Sequence, residues 1–426
     1  MSRPSTSSVA STSERTRRWP WLLFAVALIA APLLSGKSIP MSALSQAAIA
    51  IVFAVSYNLL YGQSGLLSFG HAVFMGLGGY ATVHALQSIA NAQLPVPLPL
   101  VPLAGAAFGG LAGLAFGWLA SRRGGTVFAM ITMGFAELVV ALTTVLLGFF
   151  GGDQGRNGDR TSALPVFGID FAGERQVYYL IAAWTLVAVV LMYLLTRTPL
   201  GRIARALRDN PERLPFVGYD ASQVRWRMFT ASSIFAGLAG GLFAINYEIL
   251  TPHALGIETS ASVLIMVVLG GASTFAGPIL GAVFFTWLRL DVAHRTEAWQ
   301  LYLGILFVGT VLFAPQGLSG VVQHFRGLAQ QGRLALRLPF ELARGIALAL
   351  LVAGTVLAVE AGWLLSQVAE KGATLTLFGM ATDVRRAPVW LATALLLAAG
   401  GVLWRVASRK ALDNDAAASA AVEAKP

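Results

Sequence analysis

Long uninterrupted apolar runs constrain this chain more than any other feature of its sequence. Most of them approach the roughly 20 residues that a membrane-spanning helix needs, and a backbone in lipid must satisfy its own hydrogen bonds. Barrel strands would be about ten residues long with alternating polarity, which these runs do not show. The runs cover approximately residues 21–34, 41–61, 66–90, 98–120, 126–150, 176–195, 226–249, 260–288, 299–314, 342–366 and 387–404.

The runs predict an all-α polytopic membrane protein with about 10–12 transmembrane helices. Apolar residues make up 56% of the 426 residues and charged residues only 12%, against about 25% charged in an ordinary soluble domain. This composition excludes a soluble enzyme, a disordered chain and a nucleic-acid module. The net charge of +10 comes from basic residues that flank apolar runs, which indicates membrane topology and contact with lipid. The chain has no cysteine.

The charges of the connecting segments predict an orientation. Segments 1–18, 121–125 and 196–227 are rich in arginine, so we expect them in the cytoplasm by the positive-inside rule. Segments 151–175 and 250–259 lack this excess of basic residues and should face the other side. Both chain termini are then expected in the cytoplasm.

Glycine and proline interrupt the apolar run 260–288 at Gly270, Gly271, Gly277 and Pro278. We therefore expect this run to form two short passes or a re-entrant pair. Either arrangement returns the basic stretch 315–341 to the cytoplasmic side. Broken helices at membrane depth are tolerated where they line a cavity.

A similar interruption follows the second run, at residues 62–65. Paired breaks in two halves of a chain indicate an internal repeat around a transport path; chance is the alternative in a sequence with 45 glycines. A broken helix offers free backbone groups to a polar solute, although Asn58 could instead bond a neighbouring helix. The residues predicted to line the translocation path are Asn58, Gln63, Ser64, Gly65, Gly270 and Gly271.

Three further features of the apolar runs have mainly structural interpretations. Glu137 lies close to the cytoplasmic link and could pair with Arg122 or Arg123, with a role in the pathway as the alternative. No acidic residue or cysteine lies near His71 or His84, so no metal site is predicted. Within 98–120, glycines recur every fourth residue on one helix face, which indicates close helix packing.

The link 196–227 is long and basic. Its middle, Arg202–Phe216, is predicted to form a short amphipathic helix, with a turn at Pro211 and an end at Gly218. Such a helix between transmembrane halves suits docking of a cytoplasmic protein. An ordinary positive-inside loop is the alternative.

Residues 57–80, Tyr-Asn-Leu-Leu-Tyr-Gly-Gln-Ser-Gly onward, resemble the signature of the Liv-type branched-chain amino-acid ABC transporter permeases, and are closer to the LivM branch than to LivH. The resemblance covers roughly residues 20–320. Other segments similar to the family, in order, are Arg123-Gly124 with 128–137, Gly151-Gly152 with Gly155, 199–202 with 205–210 and Gly218, 267–271 with Gly277-Pro278, and 315–318.

The resemblance implies one permease subunit of an ATP-driven, binding-protein-dependent importer in the bacterial inner membrane. Its partners would be a second, LivH-like permease, two cytoplasmic ATPases and a periplasmic solute-binding protein. ATP and Mg would bind in the ATPases, with no cofactor on this chain, which is then not an enzyme. The expected solute is a branched-chain amino acid, or urea, a short amide or a small carboxylate, moved by alternating access. The implied ATPase-coupling residues are Arg205, Ala206, Leu207, Arg208, Asp209, Asn210 and Gly218.

The resemblance also implies a division of the chain. Residues 1–18 are expected to form a disordered basic tail, and 19–320 the permease domain. Residues 321–404 depart from the family pattern as a two-helix transmembrane extension, either an accessory interface or a neutral appendage. Residues 405–426 are expected to form a cytoplasmic tail.

A stand-alone secondary transporter of a small polar solute is the alternative function. It would also have broken helices and repeats, but it usually needs acidic residues at membrane depth. A membrane-embedded enzyme would need a cluster of His, Asp or Glu at that depth, and the sequence shows none.

Overall fold

The structure, a computed structural model, describes residues 21–33, 40–165, 170–293, 299–314, 316–330, 334–366, 374–377, 380–383 and 387–423. The predicted tail 1–18 lies outside the described residues. The first eight helices are α1 Trp21–Leu33, α2 Met41–Ser64, α3 His71–Ala92, α4 Pro102–Ala120, α5 Gly125–Val145, α6 Leu147–Phe150, α7 Glu174–Arg197 and α8 Pro199–Asp209.

Seven further helices follow, together with four short strands. The helices are α9 Ala221–Tyr247, α10 Ile257–Gly270, α11 Gly277–Ala293, α12 Trp299–Phe313, α13 Gly317–Gln330, α14 Leu334–Ser366 and α15 Ala387–Glu423. The strands are β1 Arg156–Asn157, β2 Ile249–Leu250, β3 Thr374–Leu377 and β4 Met380–Asp383, and they pair antiparallel as β1 with β2 and β3 with β4.

The all-α polytopic class is confirmed. The described residues contain seven helices that are long and apolar enough to cross a membrane, or up to eight if the bent pair Trp299–Leu312 and Gly317–Gly327 counts as one span. The sequence-based count of 10–12 also included segments that form α1, α3, α10 and α11, which are not among the seven.

The chain divides into two compact units. The first comprises the described residues up to Asp291 together with Thr310–Ser319, and the second comprises Val292–Gly309 and those from Gly320 onward. In the first unit α9 packs against α2, α3 and α4. The apolar stretch of α2 is 83% buried and that of α5 only 28%, so α2 belongs to the core and α5 lies at its edge.

Small residues bring the backbones of α4 and α9 together. A Cβ atom added to Gly109 would lie 2.7 Å from the Cα of Gly237 and 2.8 Å from the carbonyl oxygen of Ser233. Gly113 meets Ser233, and Gly117 meets Phe229, in the same way. The four-residue glycine spacing therefore does produce the close packing that the sequence predicts.

In the second unit, α14 and α15 form an antiparallel pair. A Cβ on Gly354 would touch Leu397, and one on Gly400 would touch Leu351. Tyr302 donates a hydrogen bond to Glu360 Oε1 at 2.7 Å. The two apolar runs after residue 321 thus form a helix pair. The predicted tail from residue 405 continues α15 as helix to Glu423.

We expect Gly109→Leu to destabilise the first unit by about 1–3 kcal/mol, because the new side chain would force α4 away from α9. The matched control is Ala107→Leu, since Ala107 is exposed on the same helix. Thermal unfolding in detergent would measure both. Equal unfolding temperatures for the two variants would contradict the close backbone contact.

Candidate functional site

The non-helical residues 65–70 between α2 and α3, which we call the first break, lie beside α2 rather than beyond its end. Helix α2 stops at Ser64, Gly65 takes a left-handed conformation with φ of 70°, and α3 begins only at His71. The Tyr57 hydroxyl donates to the Ser68 carbonyl oxygen at 3.0 Å, and His71 Nε2 lies 3.0 Å from Ser56 Oγ. The non-helical residues 65–70 therefore run back along α2, at the depth of its second half.

The non-helical residues 271–276 between α10 and α11, which we call the second break, also reverse the direction of the chain. Helix α10 ends at Gly270, Gly271 has a φ of 99°, and α11 begins at Gly277. A Cβ on Gly281 would contact the Met266 carbonyl oxygen and would lie 2.9 Å from the Cα of Gly270. Helix α11 thus folds back along α10, which agrees with the two short passes or re-entrant pair expected from the sequence.

The two breaks touch each other. Asn58 Nδ2 donates a long hydrogen bond of 3.5 Å to the carbonyl oxygen of Thr274, which lies in the second break. A side chain on Gly62 would collide with the carbonyl oxygen of Ala272. Segments 216 residues apart in sequence therefore form one partly buried site.

The polar residues predicted for the translocation path are packed in this structure. Asn58 is 1% exposed, and Gln63 and Ser64 are also buried. Ser64 Oγ donates to the Leu59 carbonyl oxygen of its own helix. Within the described residues, Asn58 Oδ1 and Gln63 Oε1 accept no hydrogen bond. A buried acceptor without a partner costs about 1–3 kcal/mol, so the site holds polar capacity that this conformation leaves unused.

Helix α8 is attached directly to the first break. Arg208 Nη1 donates to the carbonyl oxygen of Gly62 at 2.6 Å. Its guanidinium also pairs with Asp209, with Nη2 3.2 Å from Oδ1, and its Cγ would lie 2.8 Å from a Cβ on Gly65. The segment predicted for coupling and the break predicted for translocation are therefore parts of one assembly.

The bounds of this helix correct the sequence-based expectation. A helix over Arg202–Phe216 was predicted, but α8 begins at Pro199, where Thr198 Oγ1 accepts from the Gly201 N–H at 3.3 Å. It ends at Asp209 because Asn210 is extended. Two short 3-10 turns follow, and Gly218 takes a left-handed conformation with φ of 79°.

Two of the predicted coupling residues hold the local fold and do not form an outward surface. Arg205 bonds the Thr196 carbonyl oxygen at 3.1 Å and Leu207 is buried, so both serve the local fold. An exposed apolar surface lies later in the link between α8 and α9, where Phe216 is 92% and Val217 69% exposed. Sequence reasoning missed this apolar pair, although two apolar residues between a proline and a glycine in a polar link could have indicated it.

Glu137 does not lie beside Arg122 and Arg123. It is twelve residues along α5 from Gly125, about 18 Å at 1.5 Å per residue, and its side chain is exposed. The Arg122 guanidinium instead stacks on the Trp118 ring at 4.0 Å. Among the described residues no ion pair forms at Glu137, so the expected pairing with Arg122 or Arg123 is wrong.

A polar cavity lies at the opposite end of α2 from Arg208. Its volume is about 210 Å³, and Arg160 lies in its wall with Nε 3.8 Å from Glu248 Oε1. Arg160 also donates to the carbonyl oxygens of Phe171 and Ala172. Nearby, hydrogen bonds from Thr161 lower the pKa of Asp159. Arg160 therefore connects the segment at residues 171–172 to Glu248 at this end of the first unit.

A family model described as branched-chain amino acid transport system / permease component matches residues 39–314. The chain belongs to this permease family. The match begins just before α2 and runs through α12, so it includes both breaks and α8. Helices α13 to α15 follow it.

Curated relatives of this permease carry related names. The high-affinity branched-chain amino acid transport system permease protein LivM of Salmonella typhimurium is 30% identical over 289 residues, which cover 63% of this chain and 67% of the relative. LivM of Escherichia coli K12 gives the same figures. The fructose import permease protein FrcC of Rhizobium meliloti is 28% identical over 194 residues, covering 44% and 52%. No solved structure matches.

The contact between α8 and the first break can be tested in this permease with two alanine substitutions. Gly65 and Gly218 are both left-handed, so alanine strains each by a similar amount. At Gly65 the new Cβ also meets Arg208, whereas at Gly218 it meets no atom within 4 Å. We expect Gly65→Ala to be the less stable variant by about 1 kcal/mol. Equal thermal unfolding of the two would argue against the Arg208 contact.

Proposed function

We propose that this chain is one of two membrane-spanning subunits of an ATP-driven, binding-protein-dependent importer. The observation that carries the proposal is the hydrogen bond from Arg208 to the Gly62 carbonyl oxygen. It joins an exposed basic segment, suited to an ATPase partner, to the buried meeting point of two broken helices. A direct mechanical connection of this kind is what transport driven by a separate ATPase requires.

The solute we propose is a branched-chain amino acid or a similar small polar molecule. The names of the LivM relatives support this choice, while the fructose permease relative indicates that the same architecture serves other solutes. A periplasmic binding protein would deliver the solute. A second, LivH-like permease would complete the path, and two cytoplasmic ATPases would bind ATP and Mg.

The proposed orientation places α8 in the cytoplasm and the Arg160 cavity outside a bacterial inner membrane. Connecting segments that are predicted to lie on the same side of the membrane contact each other in the structure, which supports this orientation. Gly124 packs against Arg225 at the α8 end, where its Cβ would lie 2.9 Å from Nη2. At the other end, β1 of the link 151–175 pairs with β2 at Ile249–Leu250. Both termini would then be cytoplasmic.

The proposed mechanism is alternating access through the paired breaks. Movement of an ATPase against α8 would pull on Gly62 through Arg208 and separate Asn58 from the second break. Asn58 Oδ1 and Gln63 Oε1, which lack partners in the packed state, could then accept hydrogen bonds from a polar solute or from water. Those bonds would offset part of the free energy needed to separate the breaks.

We further propose that residues 19–320 form the permease domain and residues 321–404 an added helix pair. The family match ends at residue 314, close to that boundary. The matched domain carries both breaks and α8, so the helix pair is not required for the proposed coupling. The internal repeat stays a prediction, supported by two breaks that each fold back.

Uptake of radiolabelled leucine into proteoliposomes tests the proposal. We expect uptake only when the second permease, the ATPases, the binding protein and ATP are all present. The same vesicles with an ion gradient in place of ATP are the control. Uptake driven by the gradient in vesicles that hold this chain alone would contradict the proposal and support a stand-alone secondary transporter. Competition by urea, short amides and small carboxylates would define the solute.

The exposed pair Phe216 and Val217 provides a second test. We expect the double variant Phe216→Ala, Val217→Ala to weaken ATPase binding at least tenfold, because burying one large apolar side chain contributes about 1.5–3 kcal/mol. Co-purification of the ATPases from membranes measures this. The control is Ile249→Ala, a 41% exposed apolar residue in β2. Unchanged co-purification of the ATPases with the double variant would show that Phe216 and Val217 do not form the docking surface.

A further inference from the structure

Helix α5 carries a carboxylate in the middle of an apolar span. Glu137 is twelve residues after Gly125 and eight before Val145, which places it about 18 Å and 12 Å from the two ends. A charged side chain at this depth is unfavourable against lipid and is normally found facing a partner or a water-filled cavity. The span is too long on either side for a glutamate to reach the membrane surface.

The side of α5 that carries Glu137 is the one that faces away from the described helices of the first unit. The buried face consists of Phe128, Ala129, Thr132, Ala136, Val139 and Thr143. At 100° per residue the opposite face holds Met130, Gly134, Glu137, Ala141 and Thr144, and all five are exposed. The other four residues of this face are uncharged, so a group that neutralises Glu137 has to come from another segment or subunit.

The exposed side of α7 differs from this face. Its large exposed residues are Tyr179 near its start and the aliphatic Val187, Leu191 and Leu194 further along, and aliphatic side chains are readily covered by lipid tails. The two helices are both long enough to span the membrane. Of these two helices, α5 alone carries a charge in the middle of its exposed face, so the exposed faces of α5 and α7 are suited to different surroundings.

Helix α5 is also bound to the first break. Thr132 Oγ1 accepts a hydrogen bond from the Phe69 N–H at 3.3 Å, and a Cβ on Gly70 would collide with the Thr132 carbonyl oxygen. Thr132 lies on the buried face of α5, about one and a half turns before Glu137. A movement of the break would therefore shift Glu137.

We propose that the face of α5 centred on Glu137, opposite the face that binds the first break, lines a separate aqueous stretch of the solute path, completed by the second permease subunit, and that the Glu137 carboxylate contacts the ammonium group of the solute there. This inference rests on the importer function proposed above. A carboxylate only accepts hydrogen bonds, and at membrane depth it binds a positively charged donor most strongly. The solutes favoured are therefore those with an ammonium group, such as amino acids.

Thiol labelling tests the aqueous path without any transport assay. The chain has no cysteine, so single cysteines can be introduced as Glu137→Cys on α5 and Leu191→Cys on α7, with the exposed loop position Asp153→Cys as a reagent control. The assembled importer in membrane vesicles is treated with a charged, membrane-impermeant methanethiosulfonate from both sides. We expect labelling of the Glu137→Cys and Asp153→Cys variants and none of Leu191→Cys.

Two results of the labelling would overturn the proposal. Failure of the Glu137→Cys variant to label in the complex, with Asp153→Cys labelled, would mean that lipid or partner protein covers this face. Equal labelling of the α5 and α7 positions would mean that the face of α5 is not distinguished from a lipid-facing one.

The ammonium contact is tested by leucine uptake in the reconstituted importer. We expect Glu137→Gln to lower uptake at least tenfold, through loss of a charge-assisted hydrogen bond. Membrane insertion and ATPase co-purification should be retained. Glu258→Gln, at an exposed acid that faces His253, is the matched control and should import normally. Unchanged uptake by the Glu137→Gln variant would overturn the contact. Absence of uptake by the unmodified importer would instead count against the importer function.

Discussion

Non-helical backbone buried inside a membrane protein needs hydrogen-bond partners, and the first unit is arranged around that requirement. Residues 65–70 and 271–276 leave the helical pattern, and each segment includes buried residues such as Ser68 and Gly271. Side chains supply the missing partners: Tyr57 for the Ser68 carbonyl oxygen, Thr132 for the Phe69 N–H, and Ser260 for the Ala72 N–H at 3.0 Å. Isolated polar residues in the apolar runs therefore support the breaks, and through them the site.

This requirement divides the unit into tightly and loosely held parts. Helices α4 and α9 meet backbone to backbone through glycines, so neither can slide or tilt without collision. Helix α5 is bound mainly through one face, and its apolar stretch is the least buried of the spanning helices in this unit. Alternating access needs a fixed part and a moving part, and the packing offers both within one chain.

Local features of the site could be predicted from sequence, but long-range ones could not. Glycine and proline mark where backbone geometry departs from a helix, so the second break and the α4 packing face were predicted correctly, whereas the first break was predicted at residues 62–65 and begins only at Gly65. Periodicity gives the faces of a helix but not the segment that each face meets. For that reason the Asn58–Thr274 and Arg208–Gly62 contacts, the exposed Phe216 and the outward position of Glu137 emerged only from the structure. The start of α8 was missed because Thr198 and Pro199 favour helix initiation more strongly than the amphipathic pattern suggested.

The connection between α8 and the first break has one further property. Arg208 bonds a main-chain carbonyl oxygen, an atom that every amino acid possesses. No side-chain replacement on α2 can delete that acceptor, although the room around Gly62 limits the size of the residue. Side-chain replacements that delete this hydrogen bond outright are therefore confined to Arg208, and compensating changes for a weakened Arg208 should arise in α8 or in the partner that binds it.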